Sequence, residues 1–191
     1  MPSENKIIII TAPSGAGKTS ITRYLLKTFP DSLAFSISAA TREKRAYEKN
    51  GVDYHFMSVE EFKEKIQRNS FVEWEMVYEG KYYGTLKSEI HRIWKDGKTP
   101  LLDIDVQGAL HVQQQHHGHS LSIFIDPPSV DELKERLSTR GTETSESLAT
   151  RLNKASYELS FREQFNKVIV NEELGKACSE AEAIVRSFLD S

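Results

Sequence analysis

Apolar positions along this chain fall into short unbroken runs rather than alternating ones. The run Lys6-Ile7-Ile8-Ile9-Ile10-Thr11 has no polar residue in its interior, which predicts a strand buried on both faces, as a parallel sheet covered by helices requires. Further apolar runs at residues 33–37, 99–104, 121–125 and 168–170 are separated mostly by helical patterns. That alternation predicts an α/β fold with a parallel sheet flanked by helices.

Two helices carry their own start signals. Ser58-Val59-Glu60-Glu61 and Ser129-Val130-Asp131-Glu132 match the capping box, in which a hydroxyl and an acidic residue three positions on satisfy the helix's first N–H groups. Val59, Phe62 and Ile66, and then Val130, Leu133 and Leu137, follow as apolar stripes at helical spacing and belong to the core. Helices are also predicted over residues 19–27, 86–95, stopped by Gly97, and 172–189. Between 36 and 85 the pattern changes to polar loops, a short strand at 54–57 and clustered aromatic residues from Phe71 to Tyr83, which reads as an insertion with its own small sheet. Residues 136–151 are polar and carry Arg136, Arg140 and Arg151 around Gly141, the composition of a mobile segment. The stretch 113–119, rich in Gln and His, reads as a solvated loop; His111, His116, His117 and His119 match the spacing of no closed metal site.

At 191 residues the chain suits one domain, since about 150 residues per domain is the usual prior, and so one active site. No stretch approaches the roughly 20 apolar residues of a membrane span, and the first residues lack the pattern of an export signal. Cys178 is the sole cysteine, which excludes an intrachain disulfide and agrees with a reducing cytoplasm. With 25 basic against 28 acidic residues the chain has no bulk footprint for nucleic acid, so any positive charge that binds phosphate must be local.

That local charge is found at Ala12-Pro13-Ser14-Gly15-Ala16-Gly17-Lys18-Thr19, between the first strand and the first helix. Glycines let the backbone turn so that several N–H groups point into one anion-sized hollow at a helix N-terminus, Lys18 meets the β- and γ-phosphates of a nucleotide, and Thr19 offers its hydroxyl to Mg²⁺. Ala12 stands where such loops usually have their first glycine, which is tolerable if that position needs no positive φ. Leu101-Leu102-Asp103-Ile104-Asp105 then ends a later strand in two acids, placed where carboxylates can hold a Mg²⁺ shell at the sheet's C-terminal edge. A turn former or a helix cap is the structural alternative for either acid.

A third group of motifs separates the kinds of phosphate chemistry. Ser38-Ala39-Ala40-Thr41-Arg42-Glu43-Lys44-Arg45 is followed by Gly51-Val52-Asp53-Tyr54, Phe71-Val72-Glu73-Trp74, Tyr82-Tyr83-Gly84-Thr85, Asp126-Pro127-Pro128-Ser129 and the arginine-bearing segment. With the phosphate loop and the Leu-Asp-Ile-Asp strand end, the sequence resembles the guanylate kinase family from about residue 6 to 171. The resemblance implies transfer of the γ-phosphoryl group of Mg-ATP to GMP, and to dGMP, with no nucleic acid or membrane partner. It implies a core of residues 1–36, 86–135 and 152–191, a GMP-binding segment at 37–85 and a helical lid at 136–151. By the same resemblance Arg42, Arg45, Tyr54 and Tyr83 grip the GMP phosphate; guanidinium forks and phenolic hydroxyls suit such a dianion. Glu73, Ser38, Thr85 and one or both of Asp103 and Asp105 meet the guanine, while Arg136, Arg140 and Arg151 close over ATP.

The expected chemistry needs no covalent intermediate and no general base, because a loose phosphoryl-transfer transition state is served by alignment and by positive charge from Lys18, the arginines and Mg²⁺. Two other readings use the same residues: an inactive module that binds a phosphorylated peptide, and a kinase of another phosphorylated acceptor such as a ribose bisphosphate. The intact Lys18 and Thr19 speak against the first, and Glu73 against the second.

Overall fold

The structure, a computed structural model, describes residues 5–138 and 145–191. In chain order the elements are β1 (Ile7–Thr11), α1 (Lys18–Thr28), β2 (Leu33–Phe35), β3 (Ala39–Ala40), β4 (His55–Phe56), α2 (Val59–Gln67), β5 (Phe71–Tyr78), β6 (Lys81–Leu86), α3 (Lys87–Lys95), β7 (Thr99–Asp103), α4 (Val106–Gln115), β8 (Ser120–Asp126), α5 (Val130–Ser138), α6 (Ser145–Leu159), β9 (Lys167–Val170) and α7 (Leu174–Asp190). Five strands form a parallel sheet in the order β2-β7-β1-β8-β9.

The isoleucine run of β1 lacks alternation because helices cover both of its faces. Ile8 and Ile10 pack with Ile21 and Leu25 of α1 and with Ala177, Ala181 and Val185 of α7. Ile7 and Ile9 pack on the other side with Ile90 of α3 and with Val106, Ala109 and Val112 of α4. All four isoleucines are wholly buried, each stabilising the fold by about 1.5–3 kcal/mol relative to exposure. A charged residue at Ile9 would have no partner in that layer.

Residues 39–86 carry the second sheet, in the order β4-β3-β6-β5. Its small core is aromatic: Phe62 of α2 stacks on Phe71 of β5 with ring centroids 4.3 Å apart, against Ala39. Both serines cap their helices as predicted, the Glu61 N–H donating to Ser58 Oγ and the Glu132 N–H to Ser129 Oγ, each at 3.1 Å.

One expectation requires correction. The stretch from His111 to Gln115 is not loop but the second half of α4, because its polar side chains find partners on neighbouring elements. Gln115 Nε2 donates to the Val72 carbonyl and Gln113 Nε2 to the Gln164 carbonyl, both at 2.9 Å. His111 lies 3.5 Å from Glu75, and His116 packs edge-on against Trp94. No group of three or more His, Cys, Asp or Glu able to hold a metal occurs among the described residues.

Candidate active site

The phosphate loop leaves the central strand β1 and enters α1 through Gly17, whose φ of 100° is left-handed. Gly15 is also left-handed, whereas Ala12 is not among the residues of positive φ, which explains how alanine serves at that position. The loop is tied to the far end of the sheet. Asn171, just past β9 and 4% exposed, donates its side-chain amide to the Ala16 carbonyl at 2.7 Å.

Sheet register brings the acids to the loop. Ile10 pairs with Asp103 across β1 and β7, so the Asp103 carboxylate emerges beside the start of the loop, and Lys18 Nζ lies 2.5 Å from its Oδ1. The same ammonium donates to the Ile104 carbonyl at 3.3 Å. Asp105 caps α4, accepting from the Gly108 N–H at 2.9 Å, so the structural reading of this acid is realised.

Two cavities flank this point. One, of about 290 Å³, is lined by the loop residues Ala12, Pro13, Ser14, Gly15, Gly17, Lys18 and Thr19, by Asp105, and by Lys154 and Glu158 from α6. The other, of about 280 Å³, opens toward the second sheet and is lined by Ser38, Tyr54, Glu73, Tyr83, Asp103 and Asp105 among others, again with Lys18. Lys18 and Asp105 therefore belong to both walls.

Glu73 is the most perturbed acid of the second cavity. It pairs with Thr85 across β5 and β6, and the buried Thr85 hydroxyl donates to its Oε1 at 2.6 Å. Burial, aided by the charge of Asp105, pushes the Glu73 carboxyl up to about 8. Glu75 is raised for the same reasons. At the cavity's outer end Arg42 lies over the rings of Tyr54 and Phe56, at 4.9 and 5.3 Å, and hydrogen-bonds Tyr83. Its guanidinium is held in a fork by Glu48, at 2.7 and 2.6 Å. Arg42 in turn holds the Glu48 carboxyl down at about 2, and Glu48 raises Arg42.

Comparison with known proteins agrees with this geometry. The family described as Guanylate kinase matches residues 4–188. The chain belongs to the guanylate kinase family. Its activity is accordingly that of the family, phosphoryl transfer from ATP to GMP. The chain is 46% identical to guanylate kinase of Salinibacter ruber over the full length of both proteins. It is 45% identical to that of Bacteroides fragilis over 97% of this chain and 91% of that one. The crystal structure of guanylate kinase from Anaplasma phagocytophilum superposes with a TM-score of 0.76 at 31% identity, covering 96% of this chain and 85% of that one.

Among the residues expected of such a site, the structure brings Ser38, Tyr54, Glu73, Tyr83, Asp103 and Asp105 to the lining of one cavity, with Arg42 behind it against Tyr54 and Tyr83. Thr85 stands behind Glu73 with its hydroxyl committed to that carboxylate. Arg45 is exposed and donates to the Tyr47 hydroxyl at 2.9 Å, outside the cavity lining. Arg136 donates to Glu132 and to the Asn171 carbonyl, at 3.1 Å for the latter. Arg151 lies on α6, about one turn before Lys154 and two before Glu158. Arg140 lies outside the described residues.

Lys154, Glu158, Glu48 and Asn171 were not foreseen from sequence. Spacing from Arg151 offered a signal for the first two, since residues 151, 154 and 158 share one helix face. Glu158 is buried, which raises its carboxyl, and Lys154 lies 3.8 Å from it.

Proposed function

We propose that the two cavities are donor and acceptor chambers of one phosphoryl transfer, with ATP over the phosphate loop and GMP between the two sheets. The observation that carries this reading is that Lys18 lines both. A cation shared by the two walls sits where the γ-phosphoryl group must pass.

In the donor chamber the loop from Ala12 to Thr19 wraps the triphosphate, and Lys18 turns toward its β- and γ-oxygens. The oxygen donors fit Mg²⁺: the exposed Thr19 hydroxyl and the Asp105 carboxylate face the same cavity, and this ion takes few protein oxygens beside water and phosphate. These two residues would hold it, Asp103 being the further candidate; bound there, Mg²⁺ neutralises charge on the phosphates. In the acceptor chamber Glu73 accepts the N1–H and 2-amino donors of guanine, with Ser38, Asp103 and Thr85 in support. Arg42, Tyr54, Tyr83 and Arg45 take the GMP phosphate, and residues 37–85 form the GMP-binding segment. Arg136, Arg140 and Arg151, in the lid at 136–151, bring further positive charge over ATP.

Residues then do little but align and stabilise. A GMP phosphate oxygen attacks the γ-phosphorus, the bond from that phosphorus to the β,γ-bridging oxygen breaks, and ADP leaves. The nucleophile is already anionic, so no base is required, and closure of the lid excludes competing water. A coupled assay of ADP release with GMP, dGMP, AMP and a ribose bisphosphate as acceptors tests the assignment. GMP should be the best acceptor and AMP very poor; equal use of AMP, or a preference for the sugar phosphate, would refute the guanine chamber.

A further inference from the structure

Gly108 stands in the first turn of α4, three residues after the cap Asp105. Its backbone is not in the left-handed region, so nothing in its conformation requires glycine. In a helix, glycine is less favourable than alanine. Its neighbour supplies the reason for it. A Cβ on Gly108 would lie 2.5 Å from Glu73 Oε2 and 3.1 Å from Glu73 Cδ, closer than a side chain approaches another. The carboxyl group of Glu73 thus occupies the volume of a missing methyl group, with Oε2 against α4 and Oε1 fixed by the Thr85 hydroxyl.

We propose that Gly108 is a specificity-determining residue: the absence of its side chain lets the Glu73 carboxylate stand flush against α4, in the one plane that serves two adjacent donors of the base. The inference rests on the reading of Glu73 as the guanine acceptor. Glu73 is buried, so a Cβ at position 108 cannot be avoided by swinging the carboxylate into solvent. The group has to turn about its own axis or move toward the base. Either motion breaks the Thr85 contact or tilts the acceptor pair, and a charged pair that loses one of its two hydrogen bonds binds its ligand markedly less well. Gly108 lines neither cavity. The added Cβ would meet Asp105 Oδ1 only at an ordinary van der Waals distance of 3.4 Å, so Gly108 acts through Glu73 and is a positioning residue.

Four proteins test this: the parent, Gly108→Ala, Glu73→Ala and the double variant, each assayed for kcat and KM with GMP at saturating ATP, for KM with ATP, and for thermal unfolding. Gly108→Ala should raise KM for GMP about 10- to 100-fold while leaving KM for ATP unchanged. In the Glu73→Ala background the same change should add nothing to KM for GMP and should raise the melting temperature, because only the helix preference for alanine remains. If Gly108→Ala fails to fold, the double variant should fold again; a double variant equally unfolded overturns the inference. A Gly108→Ala effect on GMP that persists in full without Glu73 also overturns it. So does a Gly108→Ala protein with unchanged KM for GMP when Glu73→Ala alone is impaired. If Glu73→Ala itself leaves KM for GMP unchanged, the guanine reading fails first and the inference with it.

Discussion

The side-chain amide of Asn171 donates to the Ala16 carbonyl across 2.7 Å, and its Nδ2 lies 2.2 Å from where a Cβ on Gly17 would fall. The end of β9 and the phosphate loop, 155 residues apart, are thereby one packed unit. Asn171 is itself held by its N–H on the Asp126 carbonyl at 2.8 Å, and its own carbonyl accepts from Arg136 at 3.1 Å. Loop, sheet edge and α5 share one residue.

Asn171→Ala should therefore loosen the loop. It leaves the Ala16 carbonyl buried without a partner, a loss of about 1–3 kcal/mol. Thermal unfolding should show the lowered stability, and KM should rise for ATP but not for GMP. An unchanged KM for ATP in a destabilised protein would mean that the tether serves stability only.

Lys18→Ala should leave the fold intact and lower the transfer rate by about two to four powers of ten, because a charge aimed at the transferring phosphate is removed. Circular dichroism establishes the first point, and kcat at saturating ATP and GMP the second. A normal rate constant would remove Lys18 from the mechanism.

If Glu73 accepts the guanine as proposed, GMP binding should depend on pH. Its carboxyl is raised to about 8 by burial, yet only the ionised form accepts two donors. Near about pH 7 binding of GMP should therefore expel close to one proton, seen by calorimetry in buffers of different ionisation enthalpy, and Glu73→Gln should expel none. Affinity should strengthen as the pH rises through about 8. For folding, a raised carboxyl contributes stability that is whole below the ordinary carboxylate range and lost as pH passes through about 8, so Glu73→Gln should flatten the parent's decline over that window. Equal proton release from parent and variant would show that Glu73 is already ionised.

Glu48→Gln should release Arg42. With the fork gone, the guanidinium keeps its aromatic and tyrosine contacts and its bond to the Glu43 carbonyl but loses its charged partner, and KM for GMP should rise about tenfold with kcat much less affected. Glu48 is held at about 2, so its contribution to folding is present above the ordinary carboxylate range and lost as pH falls toward that value. The stability gap between parent and variant should accordingly close in acid. A gap that persists there would assign Glu48 a role independent of its charge.

Much of this was legible in the chain. The run from Ile7 to Ile10 announces two covered faces because each isoleucine meets a helix, and Ser58 and Ser129 announce their helices because capping is local. Residues Gly15 to Thr19 are legible because a phosphate hollow requires those residue types in that order. Contacts set by distant chain were not. Glutamines at 113 and 115 resemble solvated residues until Gln164 and Val72 present carbonyls to them, and nothing near Asn171 in sequence foretells Ala16. The fork between Glu48 and Arg42 depends on the path of a loop, which carries no periodicity to read.

The ion pair of Lys18 with Asp103 makes nucleotide entry an exchange of partners. Any phosphate that engages Lys18 takes it from a carboxylate 2.5 Å away, so an anion offering no more charge than Asp103 gains little by displacing it. A triphosphate gains much, and the loop is thereby guarded against lesser anions. The displaced carboxylate lies on the wall of the cavity proposed to take GMP. On that reading arrival of the donor alters the charge presented to the acceptor, and by linkage the acceptor alters the site of the donor to the same degree.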